Sequence, residues 1–341
     1  MPNPLYPILK ATYRTLSRFP CVVRWGEFCW KNIQLRYWPW YRLPPHRSGT
    51  DSQARFGGHD LIVSLTSFPA RIHLVHYAIY SLLKQSLKPT RLVLWLGEDK
   101  FPGREADLPR ELLALKARGL EIRWCRDLRA ATKLIPSLRE WPDALVATAD
   151  DDLHYWRHWL RSLVETWSRH PGDIIAGGIH PIALDHDGYP RPYAEWGWNP
   201  PDSFPSVQNT QVAAFGALYP PRCLHPDVLD GESFLRISPS NDDFWFWAHG
   251  VRAGTRIRLV PNGQRHVPVI IPASRETPAL STLNVRGGAN DRCMANLLAA
   301  YPELLARLAS EPRQDVTPWG DPRPLPGANE TSLENRPMDR G

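Results

Sequence analysis

Three consecutive carboxylates, Asp150, Asp151 and Asp152, follow an apolar run over 144–148. The run predicts a buried strand, so the acids lie where that strand ends. Neighbouring like charges repel one another and are costly to bury without a partner. A hard divalent cation, Mn²⁺ or Mg²⁺, would resolve the conflict, with phosphate oxygens and water completing its coordination. The triplet therefore suggests an enzyme that handles a nucleotide diphosphate, although a solvated turn or a helix N-cap would use the same residues.

A second acidic group, Asp242 and Asp243, follows Asn241. Asn241 would cap a helix whose first turn holds the two acids, which suits the helix dipole, and Gly254 would end it. The pair can therefore be explained as the start of a well-capped helix with core aromatics, or as the place of a general base. The two interpretations are compatible, because a helix N-terminus can hold a carboxylate rigidly.

The segments before the triplet alternate between strand and helix patterns. Strands are predicted at 61–66, 91–96, 120–125 and 144–148, and helices at 69–85, 108–118, 130–139 and 156–167. This alternation predicts the α/β class, with a doubly wound, mostly parallel sheet and helices on both faces. Ligands bind such sheets beyond the carboxyl ends of the strands, and the triplet lies at one of those ends.

The chain of 341 residues divides into an arm over 1–57, a domain over 58–311 and a proline-rich tail over 312–341. The arm carries nine basic and two acidic residues, a net charge of +7, which leaves −1 for the remainder of a chain whose total is +6. Basic residues mixed with tryptophan and tyrosine suit an anionic membrane surface. Packing of the arm against its own domain remains equally open, and nucleic acid is the less favoured partner.

Two features bear on the compartment. No segment has the roughly 18 apolar residues that cross a bilayer, and the start lacks a signal-peptide core. The five cysteines are an odd number without metal-ligand spacing. We therefore expect a reduced, cytoplasmic protein, which would be peripheral on the inner face of the plasma membrane if the arm binds lipid.

The order of these motifs resembles the family 2-type glycosyltransferases, which have a GT-A fold. The resemblance covers about 60–270. It rests on Ser-Leu-Leu-Lys-Gln at 81–85, the acids at 150–152, Gly-Ala-Leu-Tyr at 216–219, the acidic pair at 242–243 and Arg-Ala-Gly at 252–254. The sequence departs from the family at 64–71, at 97–99 and at Asp242, where glutamate is usual. These departures concern recognition of the base and the identity of the donor.

The resemblance implies a metal-dependent, inverting glycosyltransferase of the hexosyltransferase kind, and it lies closer to bacterial surface-polysaccharide enzymes. A nucleotide sugar, most simply a UDP-sugar, would bind over 58–153, and a glycan or lipid-linked acceptor over 154–311. Asp152 would ligate the metal, while Asp150 would contact the ribose or a metal-bound water. Asp151 would point to the opposite side if the strand continued. Asp243 would be the base, oriented by Asp242.

Several further residues are candidates by position. Lys133 could contact the diphosphate. The remaining candidates are Thr66, Arg71 and Glu98 for donor binding, His266 as an additional metal ligand, and Trp196, Trp198 and Gly216 on the acceptor side. A sugar nucleotidyltransferase is the alternative enzyme, but no glycine-rich basic loop follows the first strand to hold a triphosphate. A non-catalytic, membrane-associated scaffold is the alternative outside enzymes.

Overall fold

The computed structural model describes residues 48–200, 203–261, 268–271, 274, 284 and 287–313. Most of the predicted arm and tail, and the candidate ligand His266, lie outside these ranges. Within them, no helix is both long and apolar enough to cross a membrane.

Strands and helices alternate through the first half of the described chain. The strands are β1 Leu61–Thr66, β2 Arg91–Gly97, β3 Leu120–Cys125, β4 Leu145–Thr148, β5 Leu153–His154, β6 Ile174–Ala176, β7 Ile179–Pro181, β8 Asn209–Gln211, β9 Ala217–Tyr219, β10 Ile257–Leu259 and β11 Val269–Ile270. The α-helices are α1 Val75–Leu83, α2 Arg110–Leu113, α3 Ile135–Glu140, α4 Trp159–Arg169, α5 Gly231–Ile237, α6 Asp242–Arg252, α7 Ala289–Ala300 and α8 Glu303–Ala309.

Seven strands form one sheet in the order β10-β6-β9-β4-β1-β2-β3. All of its strand pairs are parallel except those of β9, which runs antiparallel to β4 and to β6. Two small antiparallel pairs, β5 with β11 and β7 with β8, lie outside this sheet. The predicted α/β class with a mostly parallel sheet is confirmed. Because β1 to β4 point the same way, their carboxyl ends lie at one edge of the sheet. The triplet follows β4, near the middle of that edge.

Helices cover both faces of the sheet. Successive side chains of β4 alternate between two cores, with Val146 in one and Leu145 and Ala147 in the other. The first core packs α3, α5, α6, α7 and α8, and the second packs α1, α2 and α4. This arrangement explains why the strand is apolar throughout rather than alternating, as expected for a strand buried on both faces.

Two predicted helices are interrupted in the structure. The segment 108–118 contains the short α2 followed by a 3-10 turn over Ala114–Arg118, and Gly119 ends it with a φ of 101°. The segment 130–139 contains a 3-10 turn over Arg129–Lys133 and then α3. Pro136 lies in the first turn of α3, and it has no N–H for a hydrogen bond to the turn before it. A new helix therefore begins at Ile135, and Lys133 is the last residue of the 3-10 turn before it.

Candidate active site

The acidic triplet begins just beyond the end of β4, and Asp151 and Asp152 lie in a turn. Asp151 is buried and accepts hydrogen bonds from Ser67 Oγ at 2.6 Å and Arg71 Nη1 at 3.1 Å. The same Arg71 nitrogen lies 2.8 Å from Asp152 Oδ2. One guanidinium therefore compensates two carboxylates, and the candidate donor-binding residue Arg71 is an integral part of the acidic cluster.

The predicted alternation of the three acids, with Asp151 on the side opposite Asp150 and Asp152, applies only if the strand continues through them. Because β4 ends at Thr148, the strand's two-residue period no longer applies. The pair that shares a cation is Asp151 with Asp152, while Asp150 faces a different one.

Lys133 joins the two acidic motifs. Its Nζ lies 2.9 Å from Asp150 Oδ1 and 3.1 Å from Asp242 Oδ2. Its side chain is 6% exposed. Ser64 on β1 donates a hydrogen bond to the Lys133 carbonyl, which fixes the backbone beneath the ammonium. Two carboxylates from distant parts of the sequence thus meet at one buried cation.

The balance of charges keeps Lys133 protonated. Burial alone would lower the pKa of its ammonium, but Asp150, Asp242 and Asp243 outweigh burial and hold that pKa well above its usual value. The pKa of the Asp152 carboxyl, by contrast, is shifted in the direction that favours its neutral form. Burial, together with the charges of Asp151 and Asp150, raises its pKa to about 7, and Arg71 offsets only part of the shift. The cluster therefore carries more negative charge than its two cations neutralise.

This excess charge fits a divalent cation. Carboxylate oxygens are the donors that Mn²⁺ and Mg²⁺ prefer, and a nearby cation would stabilise the ionised form of Asp152. The three acids do not converge into a cage of their own. Within the described ranges, only one group of three histidine, cysteine or carboxylate ligand atoms lies within 4.8 Å of one another. It belongs to Asp185, His186 and Asp187 on another loop. An ion held by Asp150 and Asp152 would therefore need oxygens from a ligand or from water.

The late acidic pair opens α6 as predicted. Asn241 caps the helix by accepting a hydrogen bond from the Phe244 N–H at 2.9 Å. The side-chain amide of Asn241 donates to Asn290 Oδ1 at 2.8 Å, so Asn290 holds the cap in place. Gln211 at the end of β8 donates from Nε2 to the Asp243 carbonyl at 2.7 Å. Contacts from two other elements thus fix the first turn of α6.

The motif at 81–85 supports the segment that follows the triplet. Gln85 donates from Nε2 to the Trp156 carbonyl at 2.7 Å and accepts at Oε1 from the Leu160 N–H at 3.0 Å. Ser81 Oγ accepts from the Tyr155 N–H at 3.0 Å. The Tyr155 hydroxyl in turn accepts from the Asp150 N–H at 2.7 Å. The motif therefore acts on the acids through Tyr155, a residue that sequence analysis did not single out.

Two other donor-side candidates have partners of their own. Thr66 Oγ1 donates to the Trp95 carbonyl at 2.9 Å. Glu98 is exposed and lies 2.7 Å from Arg104 Nη2. These contacts neither require nor prevent a role for Thr66 or Glu98 in donor binding, so that role stays a prediction.

The acceptor-side candidates are mostly packing residues. Trp196 is 2% exposed, contacts the Phe244 ring and donates its indole N–H to the Arg191 carbonyl, so it has no exposed face for a sugar. Gly216 has a φ of +84°, and a Cβ there would come within 2.4 Å of Trp159. Only Trp198 is half-buried, with its ring centroid 4.6 Å from that of His180. Stacking on a sugar stays a prediction for Trp198 alone.

Comparisons with known proteins give distant structural similarities. No protein-family model matches the chain, and no curated protein matches it. Similar solved structures include TarS 1–349 from S. aureus, at 11% identity, covering 73% of this chain and 70% of that one with a TM-score of 0.42. Another is the mannosyltransferase PcManGT from Pyrobaculum calidifontis in complex with GDP-Man and Mn²⁺, at 14% identity, covering 85% and 84% with a TM-score of 0.40.

A third similar structure is CMP:2-keto-3-deoxy-manno-octonic acid synthetase complexed with CTP, at 12% identity, covering 59% of this chain and 88% of that one with a TM-score of 0.35. All three TM-scores are below 0.5 and all three identities are below 25%. Conclusions about activity therefore rest on the side chains described above.

Replacing Lys133 with methionine should strongly destabilise the protein. Lys133→Met leaves the buried Asp242 and the half-buried Asp150 without their shared cation, and breaking a buried pair costs about 3–5 kcal/mol. Lys116→Met is the matched control, because Lys116 pairs with Glu105 at 2.6 Å but both side chains are about half exposed. That substitution should cost less than about 1 kcal/mol. Urea unfolding monitored by circular dichroism measures both.

Equal losses of stability for Lys133→Met and Lys116→Met would contradict the role given to this cation.

Proposed function

We propose that this chain is a metal-dependent, inverting glycosyltransferase. It moves a sugar from a nucleotide-sugar donor, most simply a UDP-sugar, to a hydroxyl of a glycan or lipid-linked acceptor in cell-surface polysaccharide synthesis. One observation carries the proposal. Lys133 lies within 3.1 Å of both Asp150 and Asp242, so two acidic motifs form one site. That site lies at the carboxyl edge of a parallel sheet, where such folds bind ligands.

On the donor side, Asp150 and Asp152 would hold Mn²⁺ or Mg²⁺. When bound, the ion supplies positive charge to a departing nucleoside diphosphate. Arg71, at 2.8 Å from Asp152 Oδ2, orients that carboxylate and limits the repulsion from Asp151. Lys133 contributes fixed positive charge beneath the same region. Direct contact of Lys133 with a phosphate stays a prediction. In the structure its ammonium pairs with two carboxylates.

On the acceptor side, the carboxylate of Asp243 would take the proton of the attacking hydroxyl. The first turn of α6 is held by Asn241 and Gln211, so the carboxylate is positioned before an acceptor binds. Asp242 is tied to Lys133 and would orient the first turn rather than move a proton. A base opposite the leaving group gives inversion, so an α-linked donor would yield a β-linked product.

A sugar nucleotidyltransferase is the alternative enzyme. It would need to hold a triphosphate after the first strand, usually with glycines and free basic groups. Residues 67–72 contain no glycine, and Arg71 in that segment is engaged with Asp151 and Asp152. Release of pyrophosphate from a nucleoside triphosphate and a sugar phosphate would favour this alternative. A scaffold would show neither reaction.

We also propose peripheral contact with an anionic membrane on its cytoplasmic face. The arm motivates this idea, and a second basic surface in the described chain supports it. The side chains of His158 and Arg161 lie within 3.2 Å of Ser86 Oγ, and the exposed residues Arg157 and Trp156, the latter 52% exposed, directly precede His158 in the chain. Cations next to an exposed tryptophan suit a lipid headgroup layer.

Liposome sedimentation tests the membrane contact. Arg157→Glu in the full-length chain should reduce binding to phosphatidylserine-containing vesicles at low salt, because each basic residue near such a surface contributes about 1 kcal/mol. Arg169→Glu, at the other end of α4, is the matched control and should bind like wild type. The contact would be excluded if the wild-type protein stayed in the supernatant at low salt.

The metal role predicts a specific binding defect. Asp152→Ala should weaken the binding of UDP in the presence of Mn²⁺, because a ligand of the ion is lost, while unfolding stays cooperative. Asp187→Ala is the control, since it disrupts instead the group formed by the half-buried Asp185 and the exposed His186 and Asp187. Calorimetric titration of UDP with and without Mn²⁺ measures both variants. Binding of UDP to wild type that is indifferent to metal would exclude the role.

The base role predicts a different defect. Asp243→Asn keeps the size of the side chain but cannot accept the acceptor's proton, so turnover should fall by a factor on the order of 10²–10⁴ with donor binding retained. Asp230→Asn is the matched control, since Asp230 caps α5 through the N–H groups of Glu232 and Ser233. Steady-state kinetics with an acceptor separates the two. Wild-type turnover in Asp243→Asn would show that this acid only starts a helix.

A further inference from the structure

Two polar atoms buried near the acidic pair have no hydrogen-bond partner among the described residues. They are Tyr219 Oη and Gln211 Oε1. Tyr219 is fully buried, and Gln211 is 1% exposed. Buried polar groups are normally paired with protein or with ordered water, so each of these atoms requires an explanation.

Separate interactions connect each of these two residues to the segment that carries the proposed base. Gln211 donates from Nε2 to the Asp243 carbonyl at 2.7 Å. A carbonyl can only accept, so this bond fixes the amide orientation and leaves Oε1 as the unpaired atom. Burial, followed by the charges of Asp243 and Asp242, holds the pKa of Tyr219 well above its usual value, while Lys133 opposes the shift. The hydroxyl therefore lies within electrostatic reach of both carboxylates.

The tyrosine ring is firmly held. Tyr219 is the last residue of β9 and pairs with Val146 on β4. Its ring meets Phe246 of α6 edge-on, with centroids 5.9 Å apart. Phenylalanine would fill the same space without placing an unpaired hydroxyl in the core, so packing alone does not account for tyrosine here.

We propose that Tyr219 and Gln211 hold an ordered water molecule beneath the acidic pair, and that Tyr219 is a positioning residue that orients Asp243 through this water. A water accepts one hydrogen bond from the phenol and donates one to the amide oxygen of Gln211. Its second proton is then available to a carboxylate, which satisfies the usual need of a buried water for two to four polar partners. The orienting role depends on the proposed function of Asp243, whereas the water site does not.

Tyr219→Phe tests the positioning role. It should leave the KM for donor unchanged and lower kcat by a factor on the order of ten, the scale of one orienting hydrogen bond. The acid limb of the pH–rate profile should move to higher pH, because a carboxylate that loses hydrogen bonding to its charged form has a higher pKa. Tyr301→Phe is the matched control, since Tyr301 packs on Arg252 at the other end of α6. It should change neither quantity.

A high-resolution crystal structure and thermal unfolding test the water site without requiring activity. Wild type should show a water within hydrogen-bond distance of Tyr219 Oη and Gln211 Oε1, and Tyr219→Phe should lose it with a lower Tm. A dry site, or a raised Tm from removing an idle hydroxyl, would overturn the water. If wild type holds the water but Tyr219→Phe changes neither kcat nor the pH–rate profile of an active enzyme, the positioning role is wrong. Absence of any transferase activity would instead refute the proposed function.

Discussion

The site depends on the two ion pairs that the buried ammonium of Lys133 makes with carboxylates. The ammonium contacts one carboxylate that follows the central strand β4 and another that starts α6. An uncompensated charge in this position would be expensive, so the cation and both acids must be placed together. The same contact therefore couples the edge of the sheet to the helix that carries Asp243. Without it, the acidic motifs would be two isolated groups rather than one site.

The cluster keeps an excess of negative charge despite its two cations. Arg71 serves Asp151 and Asp152, while Lys133 serves Asp150 and Asp242. Burial and, after it, the charges of Asp151 and Asp150 raise the pKa of Asp152 to about 7 despite the presence of Arg71. A purely structural cluster would gain stability from more cations or fewer acids. Under the proposed function, a bound divalent ion would balance this excess charge.

Local patterns in the sequence predicted local structure well. The bounds of β1 and β3, the cap at Asn241 and the position of the triplet after β4 follow from hydrophobic runs and capping chemistry. Contacts between distant segments were out of reach, including those of Lys133 with Asp242 and of Gln85 with the segment after the triplet. Buried Trp196 shows the same limit, because a tryptophan in a proline-rich loop gives no sign of which way its ring faces.

We propose that this site binds a nucleotide sugar and transfers its sugar. Incubating the full-length protein with a panel of nucleotide sugars, with Mn²⁺, with Mg²⁺ or with a chelator, and measuring release of nucleoside diphosphate tests it most directly. Slow hydrolysis of at least one donor that requires a divalent ion is the predicted result. No release and no binding of any donor with either metal, from a protein that is folded, would contradict the account.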